Sequence, residues 1–257
     1  MKTRFILIFI LFLFSCGNKN NIKSFLKEIR ANINNTKPLP KTDYIVDYIN
    51  NTSIIGIDVS HHQKKINWPE VKNWKNHSIK FVYIKATEGA RGNGSKDPKY
   101  LENIQEAEKH GLLVGSYHYF RTTSSAEDQF KNFITTLGDH KQDLIPMVDL
   151  EQNDNFTKKK YREELKKFLK LLENHFNKKP IIYSVTNFYN QYLAYNFLEY
   201  KLFLGFYNLE HDKISLKDNR DWTAWQFSQQ GKIKGIEKNV DINVLNKKIS
   251  INELLLK

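Results

Sequence analysis

One cysteine in 257 residues excludes any disulfide within the chain, so the fold has to be held by its core. Glycine and proline are sparse, at 11 and 6 residues, and no internal repeat or low-complexity tract is visible. Several chemistries are missing as well. There is no Walker-type phosphate loop, no GxGxxG ahead of a helix, no GxSxG elbow and no catalytic-cysteine candidate. Phosphate-loop, dinucleotide and common acyl-transfer readings therefore fall away. No apolar run is long enough to span a bilayer; the longest, Phe5 to Phe14, follows the basic residues Lys2 and Arg4 and reads as an export signal.

The lone Cys16 sits directly after that run, in "LFSC", which resembles a lipobox although Phe14 departs from the small residue usual there. The expectation is a signal peptide over residues 1–15 and a lipid anchor on Cys16, making an exported, membrane-anchored lipoprotein. Residues 16–52 read as a tether with one short helix, and residues 53–257 as the functional domain.

The formal net charge is +12, and the chain stays strongly basic without Lys2 and Arg4. Such a charge suits acidic partners such as nucleic acid, anionic lipid or wall polymer. The lysines of "KKKYREELKKFLKLLENHFNKK" (158–179) alternate with glutamates at helical spacing, with leucines on one face. That is a solvated helix, and no nucleic-acid partner is expected.

From residue 53 onward, short apolar runs alternate with helical patterns. Eight runs read as strands: 54–60, 80–89, 112–120, 144–151, 180–185, 201–207, 222–228 and 240–245. Helices are predicted over 67–76, 97–111, 124–138 and 157–177. The near-continuous apolar strands argue for a parallel sheet covered by helices, and their number favours a closed barrel over an open doubly wound sheet. The links 208–221 and 229–239 are too short for full helices, so the second half should be a reduced barrel.

"LIPMVDLEQND" (144–154) ends a buried-looking strand in two acids, Asp149 and Glu151. Alternation places both on one face, with Cα atoms ~6.6 Å apart. Asp58 ends the first strand and Asp241 lies in the last, and acids are costly to bury there without a function. Closing the barrel brings strands 1 and 8 together, so four carboxylates would converge on one cleft. Clustered carboxyls raise one another's pKa, which suits glycoside cleavage. A carboxylate-only Mg²⁺ or Ca²⁺ site is the rival reading; His61 and His62 face apart and His118 is embedded in a strand. Tyr117, Tyr119, Tyr183, Tyr207 and Trp225 crowd the strand ends, where rings with polar tips suit sugars.

In order along the chain, "GIDVSHHQ", "INWPEVK", "FVYIKATEG", "GLLVGSYHYF", "PMVDLE", "KPIIYS", "AWQFS" and "GIEKNVDIN" resemble the glycoside hydrolase family 25 lysozymes, the Chalaropsis-type N-acetylmuramidases. The resemblance covers about residues 53 to 246. It implies an α/β fold, a TIM-like irregular barrel of five β/α units followed by three β-strands. It also implies cleavage of the β-1,4 bond between N-acetylmuramic acid and N-acetylglucosamine in peptidoglycan, by a monomer without cofactor or metal. Glu151 would be the general acid and Asp149 its ionised partner, attacking or orienting the substrate acetamido group, with Asp58 and Asp241 tuning the pair. Retention with acetamido assistance is the expected course. Lys85, Glu88 and Gln226 join the five aromatic residues as candidate substrate contacts. "LFLGFY" lacks the tryptophan common at that strand, so Phe203 is expected to alter a subsite. Two alternatives stand beside this reading: a catalytically silent glycan-binding lipoprotein and a chitin-directed barrel hydrolase.

Overall fold

Eight apolar runs, separated by turns and amphipathic helices, close on themselves. The computed structural model describes Ile49 and residues 54–90, 95–154, 156–207 and 214–257; within it, Ile45–Lys257 forms one compact unit. The predicted signal peptide, Cys16 and the tether apart from Ile49 lie outside the described residues; Ile49 itself is buried in the core.

The strands are β1 (Ile55–Val59), β2 (Asn73–Trp74), β3 (His77–Glu88), β4 (Leu113–Tyr119), β5 (Met147–Asp149), β6 (Ile181–Val185), β7 (Leu202–Gly205), β8 (Ala224–Ile233) and β9 (Ile236–Leu245). Helices α1 (Tyr100–Lys109), α2 (Ala126–Leu137) and α3 (Lys158–Phe176) follow β3, β4 and β5. Ser125 and Thr157 cap α2 and α3 with their hydroxyls, and Gly138 ends α2. After β6 only a short helical segment, Thr186–Phe188, runs into a π-helical turn, Tyr189–Leu193.

All links from β1 through β3 to β8 are parallel, and β9 closes the barrel antiparallel between β8 and β1. This is the irregular barrel expected from the sequence, with a thin second half. The last strand differs from a simple parallel reading because Lys234-Gly235 turns β8 directly back into β9, with Gly235 at φ +91 where a Cβ would meet Asn67 O at 2.4 Å. Its reversed direction matters to the site: the middle of β9, not its end, lies level with the C-terminal ends of the parallel strands, and Asp241 pairs with Asp58.

The helix predicted over 67–76 does not form. Pro69 opens a single 3₁₀ turn, Trp68–Glu70, and Lys75 at φ +50 then turns the chain so that Asn73–Trp74 pairs with His77 and Ser78. Burial decides it: Trp74 packs edge-on to Phe227 at 5.4 Å, a contact that the hairpin presents.

Two apolar layers result. Outward-facing strand residues such as Val82, Val114, Val148 and Ile182 pack under the helices with Leu165, Phe168 and Leu172 of α3. Inward-facing Phe81, Tyr83, Met147, Ile181, Phe203 and Ala224 fill the barrel. The C-terminal 3₁₀ turn Ile251–Leu254 closes the bottom, with Leu254 buried and its carbonyl accepting from Ile145 N at 2.8 Å. The barrel is thus stoppered by hydrocarbon at one end and open at the other.

Candidate active site

The open end holds a cleft of about 310 Å³ whose lining includes all four predicted acids, Asp58, Asp149, Glu151 and Asp241. They arrive on three stretches of backbone. Asp58 lies one residue before the end of β1, Asp149 ends β5, Asp241 lies within β9, and Glu151 stands beyond the regular strand. Pro146 and the barrel floor shorten the strand expected over 144–151 to three residues. Extended pairing nonetheless continues past it: Leu150 N donates to Tyr183 O at 2.9 Å, Ser184 Oγ donates to Leu150 O at 2.7 Å, and Phe120 N donates to Asp149 O at 3.0 Å. Leu150 is held outward in the core, so its two neighbours both turn to the cleft.

Hydrogen bonds organise one wall. Asp58 Oδ2 accepts from Gln226 Nε2 and from Asn243 Nδ2, each at 2.9 Å. With its amide so oriented, Gln226 turns Oε1 to the hydroxyls of Tyr183 at 2.7 Å and Tyr207 at 2.6 Å. Gln229 Nε2 donates in turn to the Tyr207 hydroxyl at 2.7 Å. The Tyr183 hydroxyl also stands close enough to the Glu151 carboxyl to hold its pKa down. On the other wall Lys85 pairs with Glu88 at 2.7 Å and lies 5.0 Å from the Tyr119 ring centroid.

Burial raises the pKa of all four carboxyls. Asp149 is pushed well up, first by burial and then by the neighbouring Glu151 charge. Asp241 is pushed up to about 9 by burial and by Asp58 beside it. Asp58 is raised by burial against the opposing hydrogen bonds from Asn243 and Gln226, and Glu151 by burial against the nearby Tyr183 hydroxyl. Lys85 pulls both Asp149 and Glu151 back down. The cluster therefore holds protons where isolated carboxyls would have lost them, the condition for a carboxylic acid that donates near neutrality.

A family model for "Glycosyl hydrolases family 25" matches residues 57–236, the stretch that carries Asp58, Asp149 and Glu151 but stops short of Asp241. The chain belongs to that family. Among its relatives, the Escherichia coli K12 protein "Uncharacterized protein YegX" is 36% identical over 196 residues, 76% of this chain and 70% of its own. "Lysozyme M1" of Streptomyces globisporus is 27% identical over 208 residues, 76% of this chain and 68% of its own. Among solved structures, a family 25 glycosyl hydrolase from Bacillus anthracis superposes with a TM-score of 0.64 at 33% identity, covering 76% of this chain and 90% of that one.

The substrate-contact residues predicted from sequence separate in this family 25 barrel. Lys85, Tyr117, Tyr119, Tyr183 and Gln226 line the cleft. Tyr207 stands at its rim, 39% exposed, tied to Tyr183 and Gln226. Glu88 is not in the lining and instead bridges Lys85 and Arg121. Trp225 requires correction. It is fully buried on the outer face of β8, with Nε1 donating to Phe206 O at 2.6 Å, because alternation that sends Gln226 inward sends Trp225 outward. Phe203 is also no subsite residue: it is a buried interior ring beneath Tyr183, 5.6 Å between centroids. His62, Gln63, Gln229 and Asn239 line the cleft without having been singled out as substrate contacts. They come from short turns and a bulged hairpin, where no period marks the facing side chains.

Proposed function

We propose that this protein is a lysozyme that hydrolyses the β-1,4 bond between N-acetylmuramic acid and N-acetylglucosamine in peptidoglycan. The observation that carries the reading is the set of four carboxyls, Asp58 and Asp149 buried and Glu151 and Asp241 half-buried, at the mouth of a family 25 barrel. Glu151 gives its proton to the glycosidic oxygen as the C1–O bond breaks. The substrate's acetamido carbonyl oxygen closes on C1 from the opposite face, and Asp149 orients that group. Asp149 Oδ1 is buried without a hydrogen-bond partner, an acceptor that an acetamido N–H would satisfy. Water then opens the cyclic intermediate with Glu151 as base, restoring its proton and giving retention. Asp58 and Asp241 hold the far side of the pair and set its field.

The test is a peptidoglycan digest. The wild type is expected to release muropeptides with new reducing muramic acid ends, and Glu151→Gln to lose at least about 10²-fold of that activity. Equal and negligible release by both proteins favours a silent glycan binder, and release from chitin but not peptidoglycan favours a chitinase. Export and a lipid anchor at Cys16 complete the proposal, placing the cleft beside the wall.

A further inference from the structure

Lys85 and His62 are the two side chains of basic type in the lining of the carboxyl cleft among the described residues. Lys85 alone of these is built into a chain of ion pairs. Its side chain is only 12% exposed, and Nζ is 2.7 Å from Glu88 Oε2. Glu88 Oε1 receives Arg121 Nη1 at 2.6 Å. Arg121 then grips Asp154 with two donors, Nε to Oδ2 at 3.1 Å and Nη2 to Oδ1 at 2.6 Å. Thr122 adds its backbone N and its hydroxyl to Asp154 Oδ2, each at 3.2 Å, and receives Asp154 N on Oγ1 at 3.0 Å. Asp154 is three residues beyond Glu151, in the irregular segment that leaves β5.

The order of signs along this chain is plus, minus, plus, minus, so its charge is compensated within itself and a partly buried lysine is tolerated. Its geometry does two things. It fixes a cation in the cleft that Asp149 and Glu151 also line, and it fastens the loop bearing Glu151 to the end of β4 through a bidentate, rigid pair. The Asp149–Glu151 pair also faces Asp58 from β1, Tyr117 and Tyr119 from β4 and Tyr183 from β6, with Asp241 on β9 and His62 farther round the cleft. Apart from His62, none of those can supply positive charge.

We infer that Lys85 is the counter-charge that lets one member of the Asp149–Glu151 pair ionise while the other keeps its proton, and that Glu88, Arg121 and Asp154 lock this cation to the loop carrying Glu151. Lys85 and Asp154 are positioning residues in this scheme. The inference deepens the glycosidase reading and rests on it for its kinetic consequence, but not for its electrostatic one.

Two measurements on the full chain separate these. In carboxyl carbon-13 titrations of the free protein, Lys85→Met is expected to move the titration of the Asp149–Glu151 pair to higher pH, and Lys85→Arg to leave it near the wild type. On peptidoglycan, kcat/KM of Lys85→Met at neutral pH should fall about tenfold or more, with the acidic limb of its pH profile displaced upward. Asp154→Asn should lower kcat while KM stays within about twofold. Lys85→Gln, which retains a hydrogen bond to Glu88, replaces Lys85→Met if the latter does not fold. A Lys85→Met titration that overlays the wild type overturns the counter-charge, and an Asp154→Asn protein with wild-type kcat overturns the lock. An inactive wild type whose titration still responds to Lys85→Met counts against the lysozyme reading while upholding the counter-charge.

Discussion

Asp58 and Asp241 illustrate how much a carboxyl's role depends on its neighbours. They face each other across β1 and β9, and Asp58 Oδ2 already accepts two amide donors. Removing water from this pair favours one shared proton over two charges, and burial together with Asp58 raises Asp241 to about 9. Between its unfolded value of 3.8 and that raised value the native state binds the additional proton, so this site's contribution to stability is present at low pH and is lost as pH rises through the window. Asp241→Asn keeps a donor for Asp58 and removes the titration. Thermal unfolding is expected to show the variant gaining on the wild type steadily between pH 5 and pH 9; a constant difference would remove Asp241 as the linked proton site.

The element scale is governed by what the strands leave out. Gly205 ends β7 where a Cβ would lie 2.6 Å from the Tyr183 hydroxyl and 3.0 Å from Val185 Cγ1. That hydroxyl is held by Gln226 and Tyr207, so it cannot yield without disturbing the wall that orients Asp58. Gly205→Ala is expected to cost about 1–3 kcal/mol in stability by denaturant unfolding, and to lower activity beyond what that loss explains. Each of the eight barrel strands was legible at least in part as an apolar run, because burial on both faces, as in β1 and β7, leaves an unbroken hydrophobic signature; the polar outer halves of β8 and β9, with Gln229, Gln230 and Glu237 to Asn239 exposed, read instead as the link 229–239. The hairpin at Asn73–Trp74 was not, because a two-residue strand has no period and the segment's tryptophans fit a helix equally well. Trp225 was misplaced for a related reason: an aromatic at a strand end gives no sign of which face it takes until the register is known.

At the scale of the whole molecule, a positively charged chain whose proposed substrate is the wall polymer would act best when kept beside it. The proposed anchor supplies that. Cys16→Ser is expected to move the mature protein from the membrane fraction to the soluble fraction, leaving its specific activity on isolated peptidoglycan unchanged; membrane retention of the variant would dismiss the anchor.

Eight barrel strands, a reduced second half and the four acids follow from the sequence itself, since each is written in local chemistry: apolar runs, capped amphipathic helices, and carboxylates where burial forbids them without cause. The arrangement around those acids belongs to the tertiary structure. The antiparallel return of β9 is what sets Asp241 against Asp58. The contacts of Leu150 with β6 keep Glu151 facing the cleft after the strand has ended, and residues 33 positions apart, Arg121 and Asp154, meet only when β4 and β5 are neighbours. Such pairings depend on register and closure, which no local pattern of residues encodes.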